Sequence, residues 1–270
     1  MIIRRISLYF AIISIGLLTS SCKEPDNTDH SLCKPTKQDL LEVIMNTPLD
    51  SKLVVFGKNI NGKVFHESDV YLGELDQLVV RGSTVEAGTW EDGVIPYVFT
   101  DGFDKAAEVE DAMEEWEKLT NGKIHFVQRT TEADYVSFIV GDGCWSMVGK
   151  RKGMQELSLG KGCGEKQAIH ELGHAMGLWH EQTRSDRDDF VDVKWCYIQE
   201  DARYNFVLRT SNAVNYGAYD YKSIMHYFAT AFSINGKPTL VSKTSTQVPS
   251  FHASHPSDED VEAVLTLYSK

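Results

Sequence analysis

Apolar and polar positions change period several times along the chain, and each change marks a candidate element. Residues 6–18 form one apolar run behind Arg4 and Arg5. A spanning helix needs about 20 apolar residues, so the run reads as an export signal rather than a membrane span. Residues 23–37 are polar, hold Pro25 and Pro35 and show no apolar period, which predicts a tether. Residues 39–45 read as a short amphipathic helix. Residues 53–56 and 64–65 read as strands around Asn61-Gly62, a tight-turn pair. Between residues 103 and 119, Ala106, Val109, Met113 and Trp116 recur at three or four, the period of a half-buried helix, and Asn121-Gly122 stops it. Residues 124–127 and 135–140 are strand-like, residues 167–176 are helical, and residues 258–267 form a closing helix. A sheet carrying helices gives an α+β architecture.

Composition narrows the function. The chain has 270 residues, 42% of them hydrophobic, enough for one sizeable domain with an appendage. Its formal net charge of −12 argues against a nucleic-acid partner, and no polybasic patch offers itself to a membrane surface. No internal repeat is visible.

The chemistry concentrates in His170-Glu171-Leu172-Gly173-His174 and the residues that follow, Ala175-Met176-Gly177-Leu178-Trp179-His180. In a helix, His170 and His174 lie four apart on one face, near enough to ligate one cation. Gly177 accepts the left-handed backbone that lets the chain turn back and bring His180 to the same ion. Three neutral imidazoles leave an open position, the arrangement of a catalytic rather than a structural zinc site, with Glu171 beside it as general base. An isolated His-Glu-x-x-His is often an ordinary helix surface; Gly177 and His180 in register make the motif far more specific.

The motif His-Glu-x-x-His-x-x-Gly-x-x-His resembles that of the metzincin metallopeptidases, and residues 181–191 resemble the astacin branch. Ser223-Ile224-Met225-His226-Tyr227 is similar to the astacin methionine turn, in which the methionine forms an apolar floor and the tyrosine reaches the zinc. The resemblance runs from residue 90 to residue 268. It implies a metzincin fold: a twisted mixed sheet with helices in the N-terminal subdomain, an irregular C-terminal subdomain and one zinc ion in the cleft between. It implies His170, His174, His180 and Tyr227 as metal ligands, with Glu171 and Tyr227 as catalytic residues. His226 is not a ligand in the family, and His252 and His255 are expected in an exposed loop. Residues 90–99 resemble the family's opening strand, and residues 143–147 its substrate-binding sheet edge, where Trp145 is equally a core residue. Such an edge binds extended peptides through backbone hydrogen bonds.

Further features follow from this resemblance, from a second one at the N-terminus and from the cysteine count. Leu18-Thr19-Ser20-Ser21-Cys22 resembles a bacterial lipoprotein signal, although Thr19 stands where an aliphatic residue is usual. Residues 1–21 are therefore expected to be removed, with a lipid on Cys22 as the one membrane contact, or plain secretion as the alternative. Residues 22–81 resemble an astacin pro-region and residues 82–270 the zinc peptidase module. Tyr71-Leu72-Gly73-Glu74 aligns with a motif whose aspartate caps the zinc, which makes Glu74 the candidate latency ligand, with Asp76 and Cys33 as alternatives. Arg81 is the candidate activation point. A cut there is expected to free the enzyme from its anchor and let the new N-terminus fold inward to Glu181. Cys144 and Cys163 match a disulfide of the family. Cys33 and Cys196 remain, either bridged or, as we expect, with at least one free thiol. The reading is a monomeric, exported or lipid-anchored zinc endopeptidase acting on protein or peptide substrates, made latent. The rival is a zinc-containing adhesion module that has lost catalysis; it is expected to lack the base, and Glu171 is present.

Overall fold

The computed structural model describes residues 29–35, 41–46, 53–74, 84–86, 88–209 and 215–269. The export run, Cys22, Asp76 and Arg81 lie outside them. Among the described residues, ten strands make one sheet. Five precede the peptidase module or lie at its start: β1 (Leu41–Asn46), β2 (Leu53–Ile60), β3 (Lys63–His66), β4 (Val70–Glu74) and β5 (Thr84–Glu86). The other five are β6 (Val94–Phe99), β7 (His125–Gln128), β8 (Tyr135–Ile139), β9 (Cys144–Ser146) and β10 (Met154–Leu159). The order across the sheet is β5-β1-β2-β3-β4-β9-β10-β8-β6-β7. Strands β1 to β4 form an antiparallel meander, and β10, β8, β6 and β7 run parallel, with β9 antiparallel to β10. The two halves meet at one pair, Val70 with Ser146, where β4 lies parallel to β9.

Three α-helices among the described residues complete the module: α1 (Ala106–Leu119), α2 (Glu165–Met176) and α3 (Asp258–Leu267). The period-3.6 stripe of α1 buries Val109, Met113 and Trp116 against Ile169 and Leu172 of α2 and against Ile95, Phe138 and Leu157 of the sheet. Asn121 and Gly122 end α1 at φ of 51° and 71°, as the sequence predicts. A second core of Trp195, Phe206, Tyr219, Tyr221, Tyr227 and Leu240 belongs to an irregular C-terminal subdomain, whose regular sheet is the pair β11 (Val191–Val193) and β12 (Leu240–Ser242). No helix among the described residues is long and apolar enough to cross a membrane.

Residues 39–45 depart from expectation, for Leu41–Asn46 is a strand, not a helix. A short apolar run carries no decisive period, and β-branched Val43 and Ile44 favour the extended form once β2 supplies a ladder partner. The turn at Asn61-Gly62 does form, with φ of 52° and 89°, and joins β2 to β3. The cysteine expectation is also corrected. Cys144 is bridged to Cys163, and Cys33 is bridged to Cys196, so neither leftover cysteine is a free thiol.

Candidate metal centre

Helix α2 places His170 and His174 one turn apart, facing the cleft. Gly177 then leaves the helix at φ 122°, its N–H donating to Gly173 O and His174 O, while Leu178 N also returns to Gly173 O. A Cβ at Gly177 would lie 2.6 Å from Leu267 Cδ2, so backbone angle and packing both exclude a side chain. The turn brings His180 back over the helix. Gly173 has a separate reason: a Cβ there would stand 2.9 Å from Met225 Sδ, so its absence lets the methionine floor approach α2.

The imidazoles are oriented from behind. His170 Nδ1 lies 2.8 Å from Ile224 O and His174 Nδ1 lies 2.8 Å from Leu178 O, so each Nδ1 carries the proton and donates it. His180 Nδ1 donates to the Glu67 carboxylate, which is wholly buried. All three Nε2 atoms are left with lone pairs pointing at one another; His170 Nε2 and His180 Nε2 stand 3.1 Å apart. Two lone pairs at that distance repel unless a cation lies between them, and nitrogens about 2.0 Å from a tetrahedral zinc fall near this separation. A carboxylate behind a ligating imidazole fixes its tautomer and strengthens it as a ligand. The donor set therefore fits zinc.

A fourth group completes the cluster, and it was not the one expected. Asp69, at the turn between β3 and β4, joins His170, His174 and His180 with all ligand atoms within 4.8 Å of one another. Its Oδ2 lies 3.4 Å from His180 Nε2 and 3.6 Å from His170 Nε2. Glu74 instead accepts a hydrogen bond from Tyr71 Oη at 2.6 Å, and Cys33 is consumed in its bridge. Neither reaches the histidines. No spacing rule singles out Asp69, because its position depends on the β3–β4 register and on Glu67 and Ser68 adopting φ of 56° and 67°.

Glu171 is buried and lines a cavity of about 200 Å³ with Asp69, His170 and His252. Burial pushes its pKa well up, and the Asp69 carboxylate adds to the rise. The Tyr227 ring lies 4.9 Å from the His180 ring, and its hydroxyl is engaged by the β3–β4 turn, donating to Glu67 O at 2.7 Å and meeting Ser68 Oγ at 3.1 Å. Burial raises its pKa as well, so it stays a neutral phenol. His226 faces Tyr219 Oη at 2.7 Å and stands outside the cluster. His252 and His255 are exposed, and His255 pairs with Glu115 at 2.8 Å. Glu181 is half-buried beside a cavity of about 110 Å³, where it accepts from Asp220 N and Arg184; desolvation carries its pKa to about 7. The edge strand β9 is covered: Ser146 N donates to Asp69 O at 2.9 Å, and Trp145 packs on Phe65 and Tyr71.

The comparisons agree with this geometry. The family model described as Astacin, a peptidase family, matches residues 83–269. Zinc metalloproteinase nas-6 of Caenorhabditis elegans is 42% identical over 160 residues, 56% of this chain and 45% of the relative. High choriolytic enzyme 1 of Oryzias latipes is 40% identical over 183 residues, 65% of this chain and 66% of the relative. The solved structure of that hatching enzyme zinc-protease matches with a TM-score of 0.62 at 38% identity, covering 68% of this chain and 94% of its own. The chain thus spans between 45% and 66% of the length of these two curated relatives. Matched over residues 83–269 and carrying the three-imidazole cluster in its cleft, the chain belongs to the astacin family of peptidases, whose cofactor is one catalytic zinc ion.

Proposed function

We propose that the chain is an exported zinc-dependent endopeptidase made as a latent precursor, with residues 82–270 as the peptidase module and residues 22–81 as tether and pro-region. The observation that carries this reading is the convergence of three Nε2 lone pairs beside a buried carboxylate, Glu171. His170, His174 and His180 hold the metal. When bound, zinc supplies Lewis acidity, activating water near neutral pH and polarising the scissile carbonyl. Glu171 takes the water's proton and later delivers it to the leaving amine. Tyr227, a neutral phenol, donates a hydrogen bond to the developing oxyanion, a contribution of about 3 kcal/mol.

Latency follows from where the pro-region sits. Asp69 takes the open ligand position, Glu67 and Ser68 hold the Tyr227 hydroxyl, and β4 covers the strand edge that an extended substrate needs. A cut between Glu74 and Trp90, with Arg81 as the candidate point, would be followed by insertion of the new N-terminus at Glu181. Two disulfides support an oxidising compartment outside the cytoplasm, and Cys22 is the candidate lipid site.

The test is cleavage of a denatured protein by residues 82–270 beside residues 22–270, each with and without a chelator, with Glu171→Gln as control. Chelator-sensitive cleavage by the short form, lost in the variant, is the expected result. A folded, zinc-loaded short form that cuts nothing would return the adhesion module as the working reading.

A further inference from the structure

The pro-region has two covalent connections to the module it covers. One is the chain between Glu74 and Trp90. The other is the Cys33–Cys196 bridge, which joins residues 163 apart, one upstream of β1 and one inside the C-terminal subdomain. The bridge sits in a small built contact. Cys196 N donates to His30 Nδ1 at 3.4 Å, the His30 ring meets Tyr197 edge-on at 4.7 Å, and Lys34 Nζ stands 5.6 Å from the Trp195 ring. Further along, Lys58 Nζ donates to Asp201 O at 2.7 Å, so the pro-region meets the C-terminal subdomain there as well as at the bridge and at the Tyr227 hydroxyl.

We propose that one cut between Glu74 and Trp90 does not release the pro-region. It leaves a two-chain protein held by Cys33–Cys196, with the metal cleft still covered, and activation requires a second event that opens this bridge. The inference rests on reading residues 22–81 as a pro-region. Its physical basis is effective concentration. A short flexible tether presents its cargo at about millimolar concentration. Cys33 lies few residues before β1, so a pro-region with only micromolar intrinsic affinity stays covered by a factor of about 1,000.

The opening step is exchange with a dithiol. One thiolate attacks a bridge sulfur and the other cysteine leaves as thiolate; the dithiol's second sulfur then closes on the mixed disulfide. Two electrons pass from the dithiol, which ends as a cyclic disulfide, and Cys33 and Cys196 end as thiols. Access favours this bridge. Cys33 and Cys196 are both half-buried, so either sulfur can be reached, whereas in the other bridge Cys144 is half-buried and Cys163 is only 4% exposed. One consequence reverses an expectation: a lipid on Cys22 remains attached to the processed enzyme, because residue 22 is continuous with Cys33 and Cys33 with Cys196.

The experiment uses the exported protein with a site-specific protease sequence inserted after Arg81, beside the same protein carrying Cys33→Ser and Cys196→Ser. Both are cut to completion. Electrophoresis without reductant should show one species for the bridged protein, resolving into two with dithiothreitol, and two species throughout for the double variant. Hydrogen exchange at Ser146 N, which donates to Asp69 O, reads coverage without any activity. It should stay slow in the cut bridged protein and speed up at least 10-fold in the cut double variant. Peptidase activity should follow the same pattern, rising at least 10-fold after dithiothreitol treatment and gel filtration into zinc; the double variant should gain nothing from that treatment. Fragments that part without reductant, or Ser146 exchange equally fast in both cut proteins, would overturn the proposal. Absent activity in both with the exchange difference intact counts against the peptidase reading and leaves the tether standing. If the double variant fails to fold, Cys33→Ser alone repeats the comparison.

Discussion

Helix α2 and the β3–β4 turn face the same three imidazoles from opposite sides, and they are secured in opposite ways. Ala168, Ile169, Leu172, Ala175 and Met176 anchor α2 with no more than 1% exposure each, and Trp90 Nε1 ties its last turn by donating to Ala175 O at 2.9 Å. The turn holds Glu67 and Ser68 at positive φ, a strain of about 1–2 kcal/mol per residue, and joins the module's sheet through the one pair Val70 with Ser146. The contrast fits the proposed roles. His170 and His174 sit on an element that cannot leave without dismantling the core; Asp69 sits on a strained turn held by hydrogen bonds to His180, Tyr227 and Ser146 and by one strand pair.

The predictions test that division from the largest effect downward. His174→Ala deletes a wholly buried imidazole of the cluster, so on the proposed reading zinc content by atomic absorption and cleavage by residues 82–270 should both fall to background. Glu171→Gln should keep its zinc and lose about 10²–10⁴-fold in kcat, the range for a general base; a parallel loss of metal would show that the residue supports the site instead of the chemistry. Tyr227→Phe should lower kcat by about 10²-fold with little change in KM, as for one oxyanion donor. On the other side of the cleft, Asp69→Ala in the uncut chain should raise basal cleavage by roughly 10-fold or more, because the capping carboxylate is gone. Glu74→Ala should leave it unchanged, and the reverse result would break the comparison. Smallest is Gly173→Ala, where the new methyl presses on Met225 Sδ. It should cost about 1–3 kcal/mol and lower Tm by roughly 2–4 °C per kcal/mol in calorimetry.

How much was legible follows from how local each feature is. His170, His174, Gly177 and His180 could be read directly, because helical periodicity and a glycine turn operate within a few residues. The Asn61-Gly62 turn, α1 with its stop at Gly122, and α3 were legible for the same reason. The strand Leu41–Asn46 was misread as a helix because its ladder partner, not its own period, decides its form. Strands β10, β11 and β12 gave no clear period of their own and were missed.

The sequence by itself determined the zinc-peptidase family, since the three imidazoles and the carboxylate of its motif lie in one continuous stretch, residues 170–180. Only the tertiary structure decided what lies against that metal site. Asp69 rather than Glu74 reaches it, Glu67 stands behind His180 across 113 residues, and Cys33 finds Cys196 across 163. Each of these depends on strand register and on how a separate hairpin docks, and a one-residue change of register turns every side chain of a strand to the opposite face.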